Sequence, residues 1–260
     1  MDFRWDVITN NLDLFLSGAR LTVWIAAVSF TLSVLLGVLV AVLRMSRNRV
    51  VYILMAGYIN IFRSIPVLVA ILFAYYGISI AFGLGLSAIQ AGILALVLQY
   101  SAWLGETFRA GIQAVPHGHR EAALSAGMSR IQTFFTVVLP QAFRIVVPPT
   151  GNWLVGTIKD SSLVYLIGVP ELMRVTNQLA NRTFRYFEVY FAALVIYLIL
   201  TTVVYYLTKY TERRFEPVDV LNSHRRVWSI FGLRKRKRLL ALRNKVAGGI
   251  SETGGVPSAV

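Results

Sequence analysis

Residues 21–43 read LTVWIAAVSFTLSVLLGVLVAVL, 23 positions without a charge. Wound as an α-helix at roughly 1.5 Å per residue, the run reaches about 34 Å, enough to cross a hydrocarbon core of about 30 Å. Residues 64–105 add 42 uncharged positions, room for two spans and a turn, and residues 189–208 add another 20. At 56% hydrophobic against 15% charged, the 260-residue chain cannot give every element the polar face a soluble domain requires. The fold class is therefore all-α integral membrane.

Five spans fit the pattern: about 19–43, 64–80, 86–106, 143–167 and 188–208. The fourth holds Lys159 and Asp160 between apolar flanks. Such a pair can face a bundle interior or a water-filled path; alternatively the helix ends at Ile158 and the pair lies at an interface. Arg44, Arg47 and Arg49 follow the first span, and Arg109, Arg120, Arg130 and Arg144 follow the third, whereas Asp2, Asp6 and Asp13 mark the amino end. The positive-inside rule puts the amino terminus outside and the 44–49 loop, the 107–142 segment and the carboxy-terminal tail in the cytoplasm. Arg174, Arg182 and Arg185 in the outward 168–187 loop run against this trend. Residues 50–62, apolar but only 13 long, suit an interfacial or partly buried helix that Pro66 bends into the second span.

Residues 209–260 hold twelve Lys/Arg against four Asp/Glu, so +8 of the net +14 lies there, and nucleic acid is not needed to explain the charge. Residues 1–215 form the expected transmembrane domain and 216–260 a basic, partly disordered tail. RKRKR at 234–238 suits an amphipathic helix at an anionic leaflet. The start, MDFRWDVITNNLDLF, lacks a basic n-region, so no signal peptide is expected. With no cysteine, disulfide and thiolate chemistry are excluded.

The cytoplasmic segment is longer than a connection requires. Pro116 suits a first helical turn, 119–126 are good helix formers, and Gly127 is a natural terminator. Ser129 and Gln132 have capping-box spacing and start a second helix, which Pro140 is expected to stop. Two helices thus meet at a glycine elbow. The small face of Ala122, Ala123 and Ala126, with Arg120, Glu121 and Arg130 beside it, suits close docking into a partner's groove. A surface hairpin covering the bundle fits the same residues.

Glu106 and Arg109 share a helical face and can pair with each other or with Lys159 and Asp160. They form either a polar lining for the amino and carboxylate groups of an amino acid, or a structural ion-pair network. His117 and His119 have no acidic or thiol companions, so no metal site is expected.

Glu121-Ala122-Ala123, three residues, Gly127, nine residues, Val137, one residue and Leu139-Pro140 resemble the cytoplasmic loop of membrane subunits of ATP-binding cassette importers. The family usually has Ile where Val137 stands. FRSIPVLVAILFAYYG (62–77), GETFRAGIQAVPHGHREAA (105–123), LPQAFR (139–144) and KDSSLVYLIGVPELMR (159–174) are similar to its polar amino acid permeases. The resemblance covers roughly residues 12–215 and implies the type I importer architecture.

The resemblance further implies that Arg120, Glu121, Ala122, Ala123, Gly127, Met128, Ser129 and Arg130 form a coupling helix docking on cytoplasmic ATP-binding subunits. An external solute-binding protein and a second copy or related permease subunit are the other implied partners. Glu106, Lys159, Asp160 and Ser161 are the candidate substrate pathway. Arg63, Pro66 and Pro140 belong to the structural motif, with Arg63 expected to cap carbonyls freed at the Pro66 bend. The chain has no GxxxxGK[ST] loop, so ATP would be bound by the partner and no cofactor by this chain. An ion-coupled secondary transporter and a non-transport scaffold remain the rival expectations.

Overall fold

The computed structural model describes residues 3–215, and every regular element among them is helical. The basic tail, 216–260, lies outside the described residues. A short α1 (Trp5–Thr9) precedes α2 (Leu12–Arg44), whose 33 residues begin earlier than the expected span and run about 50 Å. Its buried stripe is Phe15, Gly18, Ala19, Thr22, Ile25, Ala26, Ser29, Ser33, Gly37, Val40 and Ala41, mostly small residues. Leu35 and Val42, by contrast, are exposed. Size rather than polarity selects the packing face, as expected where lipid is as apolar as the core.

α3 (Arg49–Ser64) is the helix expected over 50–62, followed by a 107° bend into α4 (Val67–Leu72). A π-helical stretch, Phe73–Ile78, and α5 (Ser79–Ala81) complete that arm. Then come α6 (Ala88–Gln113), opened by a Ser87/Gln90 capping box, and α7 (His117–Ser125). α8 (Arg130–Thr133) leads through a π-helical Phe134–Val138 into α9 (Leu139–Asp160). A 3-10 turn (Ser161–Ile167), α10 (Leu172–Thr183) and α11 (Tyr186–Phe215) close the described chain.

α2, α6, the run from Arg130 to Ile167 and α11 are each long and apolar enough to cross a membrane; a fifth span exists if the bent α3–α4 pair counts as one. Two expectations are corrected. Pro140 does not stop the second loop helix, because the π-helical turn ahead of it re-spaces the carbonyls. α9 restarts with Pro140 in its first turn, where the missing amide costs little. Nor does Arg63 cap the Pro66 bend: Gln99 Nε2 donates to the Ile65 carbonyl at 2.7 Å. The Arg63 guanidinium instead lies over the Trp103 ring, 4.4 Å from its centroid.

α2 and α6 run parallel. Ser33 reaches the Val97 carbonyl at 3.4 Å, and one turn on, Gly37 meets Leu104 and Gly105. Their carboxy ends, and so the 44–49 loop and α7, share one side. At the other side Thr22 touches Glu171 and Leu172, which puts α10 at the amino end of α2. The basic 44–49 loop and α7 thus lie together, and α10 lies at the opposite end of α2.

The α2–α6 crossing depends on glycine. A Cβ at Gly37 would stand 2.9 Å from Leu104 Cβ and 3.3 Å from the Gly105 nitrogen, whereas one at Gly57 meets nothing within 4 Å. Gly37→Leu is expected to cost about 1–3 kcal/mol by overpacking, and Gly57→Leu to be tolerated. Thermal denaturation of the two variants in detergent checks this; equal melting temperatures would sink it.

Candidate functional site

Among the described residues, polar chemistry gathers at a cavity between the helices, at the α7 end and around Glu171 on the opposite side.

The inner one is a cavity of about 340 Å³ at the α3–α4 bend, where Arg63 and Pro66 meet Gln99, Tyr100 and Trp103 of α6 and Trp153 and Asp160 of α9. The Tyr100 hydroxyl donates to Asp160 Oδ2 at 2.8 Å. Gly156 permits this, since a Cβ there would lie 3.0 Å from that hydroxyl oxygen. Trp103 and Trp153 pack with ring centroids 4.8 Å apart, and Trp153 Nε1 donates to Thr107 at 3.1 Å. Gln99 is buried, and its Oε1 has no hydrogen-bond partner. The cavity therefore combines a guanidinium, a carboxylate, an unsatisfied amide oxygen and aromatic walls, and can orient a small solute carrying both charges.

Of the four expected pathway residues, Asp160 lines this cavity. Lys159 is exposed and is absent from the wall. Ser161 is fully buried and donates to the Ile158 carbonyl at 2.8 Å. Glu106 pairs with Arg109, which also donates to Gln113 at 2.5 Å, the structural alternative for that pair. Neither contacts Lys159 or Asp160. Gln99, Tyr100 and the two tryptophans came from no sequence signal, and Arg63 was expected only as a structural residue, because the bend that gathers them is tertiary. A larger groove of about 630 Å³ runs between α2, α9 and α11, but its nearly all-hydrocarbon lining offers nothing to orient a polar solute.

The second place is the glycine elbow. Gly127, at φ +84°, closes α7 with the Gly127 amide on the Leu124 carbonyl (3.0 Å) and the Met128 amide on the Ala123 carbonyl (3.1 Å). This paired pattern satisfies carbonyls the helix end leaves free, and it needs a left-handed residue. The Ser129/Gln132 box then opens α8 as expected. Glu121, Ala122, Gly127, Ser129 and Arg130 are exposed, Met128 is half-buried, and Ala123 is buried. Leu124 and Ile131 extend the face with exposed apolar surface, Ile131 at 72%. Arg120 turns inward, its Nη2 donating to the Ile112 carbonyl at 2.6 Å, so it fixes α7 against α6. His119 engages Gln141 at 2.7 Å, tying α7 to α9.

At the opposite side Glu171, 0% exposed, caps α10. It accepts from the Met173 and Arg174 amides (2.9 and 2.8 Å) and the Tyr197 hydroxyl (3.0 Å), with Thr22 at 3.3 Å. One carboxylate thus joins α2, α10 and α11.

Comparison with known proteins adds a family to this geometry. Residues 33–217 match the model of the binding-protein-dependent transport system inner membrane component. The glutamine transport system permease protein GlnP of Escherichia coli (strain K12) is 31% identical over 217 residues, 83% of this chain and 99% of that protein. The histidine/lysine/arginine/ornithine transport system permease protein HisQ of Salmonella typhimurium is 36% identical over 214 residues, 78% of this chain and 93% of that one. Among solved structures, an amino acid ABC transporter crystallised with histidines superposes with a TM-score of 0.78 at 34% identity, covering 82% of this chain and all of that one. An inward-facing MetNI methionine ABC transporter, TM-score 0.66 at 20% identity over 79% of this chain and 98% of that one, shares the fold.

Proposed function

The chain belongs to the binding-protein-dependent transport system inner membrane components, and on that premise we propose that its elbow receives a separate ATPase and its bend cavity passes the cargo. It is a multi-pass inner-membrane protein and the permease subunit of an amino acid ATP-binding cassette importer. With the family established, the ion-coupled carrier and the scaffold are set aside.

The observation that carries the proposal is the elbow itself. A rigidly capped glycine turn, held to α6 by Arg120 and to α9 by His119, presents Glu121, Leu124 and Ile131 outward. Force on that face passes into α9, whose far end holds Asp160 at the cavity. ATP-driven closure of two ATPases would swing α9 and open the cavity to the side of α10, where a solute-binding protein delivers the amino acid; hydrolysis would reset it. Two copies, or one copy and a related subunit, would enclose the path. Nucleotide chemistry belongs to the ATPase, and this chain supplies positioned side chains.

The test is a gentle-detergent purification of the tagged chain from native membranes, with partners identified by mass spectrometry. An ATP-binding subunit in stoichiometric amount is expected. Its absence from preparations in which the chain stays folded and inserted would overturn the docking proposal.

A further inference from the structure

At the α10 end, α2 and α11 share a buried cluster through Phe15, Ala19, Val189 and Ala192. Towards α7 the groove of about 630 Å³ opens between these two helices and α9. We propose that it seats one acyl chain of an anionic phospholipid, drawn from the leaflet on the α7 side. Its occupancy can be read without cargo or ATPase.

Water has little to hold it in this groove. The polar side chains of the wall are Thr150, Thr208 and Thr211, and each hydroxyl already donates to a carbonyl of its own helix, at 2.7, 2.8 and 2.6 Å. A buried water needs roughly two to four polar partners, so the space favours hydrocarbon. Its length fits a lipid chain. The wall runs along α2 from Phe30 to Val42, roughly 18 Å of helix, against about 15 Å for half of the hydrocarbon core. A second copy of the chain is the competing occupant, and α9 directs it elsewhere. Phe143, Val147 and Leu154 line the groove, whereas Trp153 and Asp160, which line the bend cavity, project roughly 100° away round the helix. Copies that meet across the cargo path therefore leave the groove to the bilayer.

The rim supplies the matching charge. Arg144 is exposed one turn before Val147 on the same face of α9, and no described hydrogen bond or ion pair engages it. Lys209 is exposed between Thr208 and Thr211 and donates to the Tyr205 hydroxyl of its own helix at 3.1 Å. Against these two cations stands Glu212 on α11, so the rim is net positive among the described residues. A guanidinium fork suits a phosphate, and basic residues at a leaflet surface favour anionic lipid. The chain beneath that headgroup would lie against Phe134 and Phe135, the π-helical turn that joins the elbow to α9.

Native mass spectrometry of the full chain, purified in detergent and titrated with phosphatidylglycerol or phosphatidylcholine of identical acyl chains, reads the site. Wild type should bind one phosphatidylglycerol, at least about fivefold more tightly than phosphatidylcholine. Val38→Trp puts an indole into the groove from an exposed position and should lose binding of both lipids. Leu39→Trp, equally exposed but outside the wall, should bind as wild type does. Arg144→Gln should keep the chain bound and lose the headgroup preference. Equal affinity of wild type for the two lipids, or unchanged binding in Val38→Trp, would overturn the site. A chain without cysteine also allows a clean check on the rival occupant. Val38→Cys should give no disulfide-linked dimer in oxidised native membranes, whereas a linked dimer would seat a second copy in the groove and overturn the lipid.

Discussion

Glu121→Arg is expected to reduce ATP-driven amino acid uptake to background, a loss of at least about a hundredfold, while membrane insertion and melting temperature stay at wild-type values. Glu121 is exposed on α7, and no described hydrogen bond or ion pair engages it, so reversing its charge leaves the chain's own packing alone. The lost quantity is docking. A charge that meets its complement in a partner's groove and is then reversed meets a like charge instead, which costs several kcal/mol at an interface. Gly127→Leu should reach the same loss of uptake by another route. A Cβ there clashes with nothing within 4 Å, but at φ +84° a branched side chain is strained by about 1–2 kcal/mol, and the two capping bonds loosen. Proteoliposome uptake and recovery of the ATPase on the tagged chain check both together. Normal uptake in Glu121→Arg with the ATPase still bound would end the docking proposal.

Glu171→Ala is expected to be the most destabilising single substitution on the α10 side, at about 2–4 kcal/mol. It removes a helix cap and leaves the Tyr197 hydroxyl and two backbone amides facing a void. Glu171→Gln keeps the shape and isolates the charge. Burial pushes the Glu171 carboxyl above its ordinary value, while the amides and hydroxyls around it hold it partly back. With the folded value raised, the folded chain binds that proton more readily than the unfolded one. The proton's contribution is therefore fully present below the ordinary glutamate value and fades as pH rises through the folded value. Melting temperature against pH should fall more steeply for wild type than for Glu171→Gln in that window. Parallel curves would show that the carboxyl does not titrate there.

Local features were legible in the sequence wherever their causes were local. Residues 21–43 made a span because nothing in them needs water, and Gly127 ended α7 because its neighbours supply the carbonyls that the turn satisfies. Ser129 and Gln132 closed their box within one turn. Pro140 misled for a physical reason: a proline ends a regular helix, but a π-helical turn ahead of it lets the chain continue, and nothing in FFTVV announces such a turn. Arg63 read as a capping residue because the motif places it beside Pro66, yet Gln99, from a helix 36 residues on, took the carbonyl.

The sequence by itself determined that this chain lives in a membrane as a bundle of long apolar helices and where the elbow breaks, since hydropathy and capping act over a few residues. Only the tertiary structure decided that Arg63, Gln99 and Asp160 share one cavity while Glu106, Lys159 and Ser161 do not. Spans that are apolar all round carry no stripe to say which face turns inward. In lipid that choice falls to shape: Gly37 against Gly105, and Gly156 beneath Tyr100.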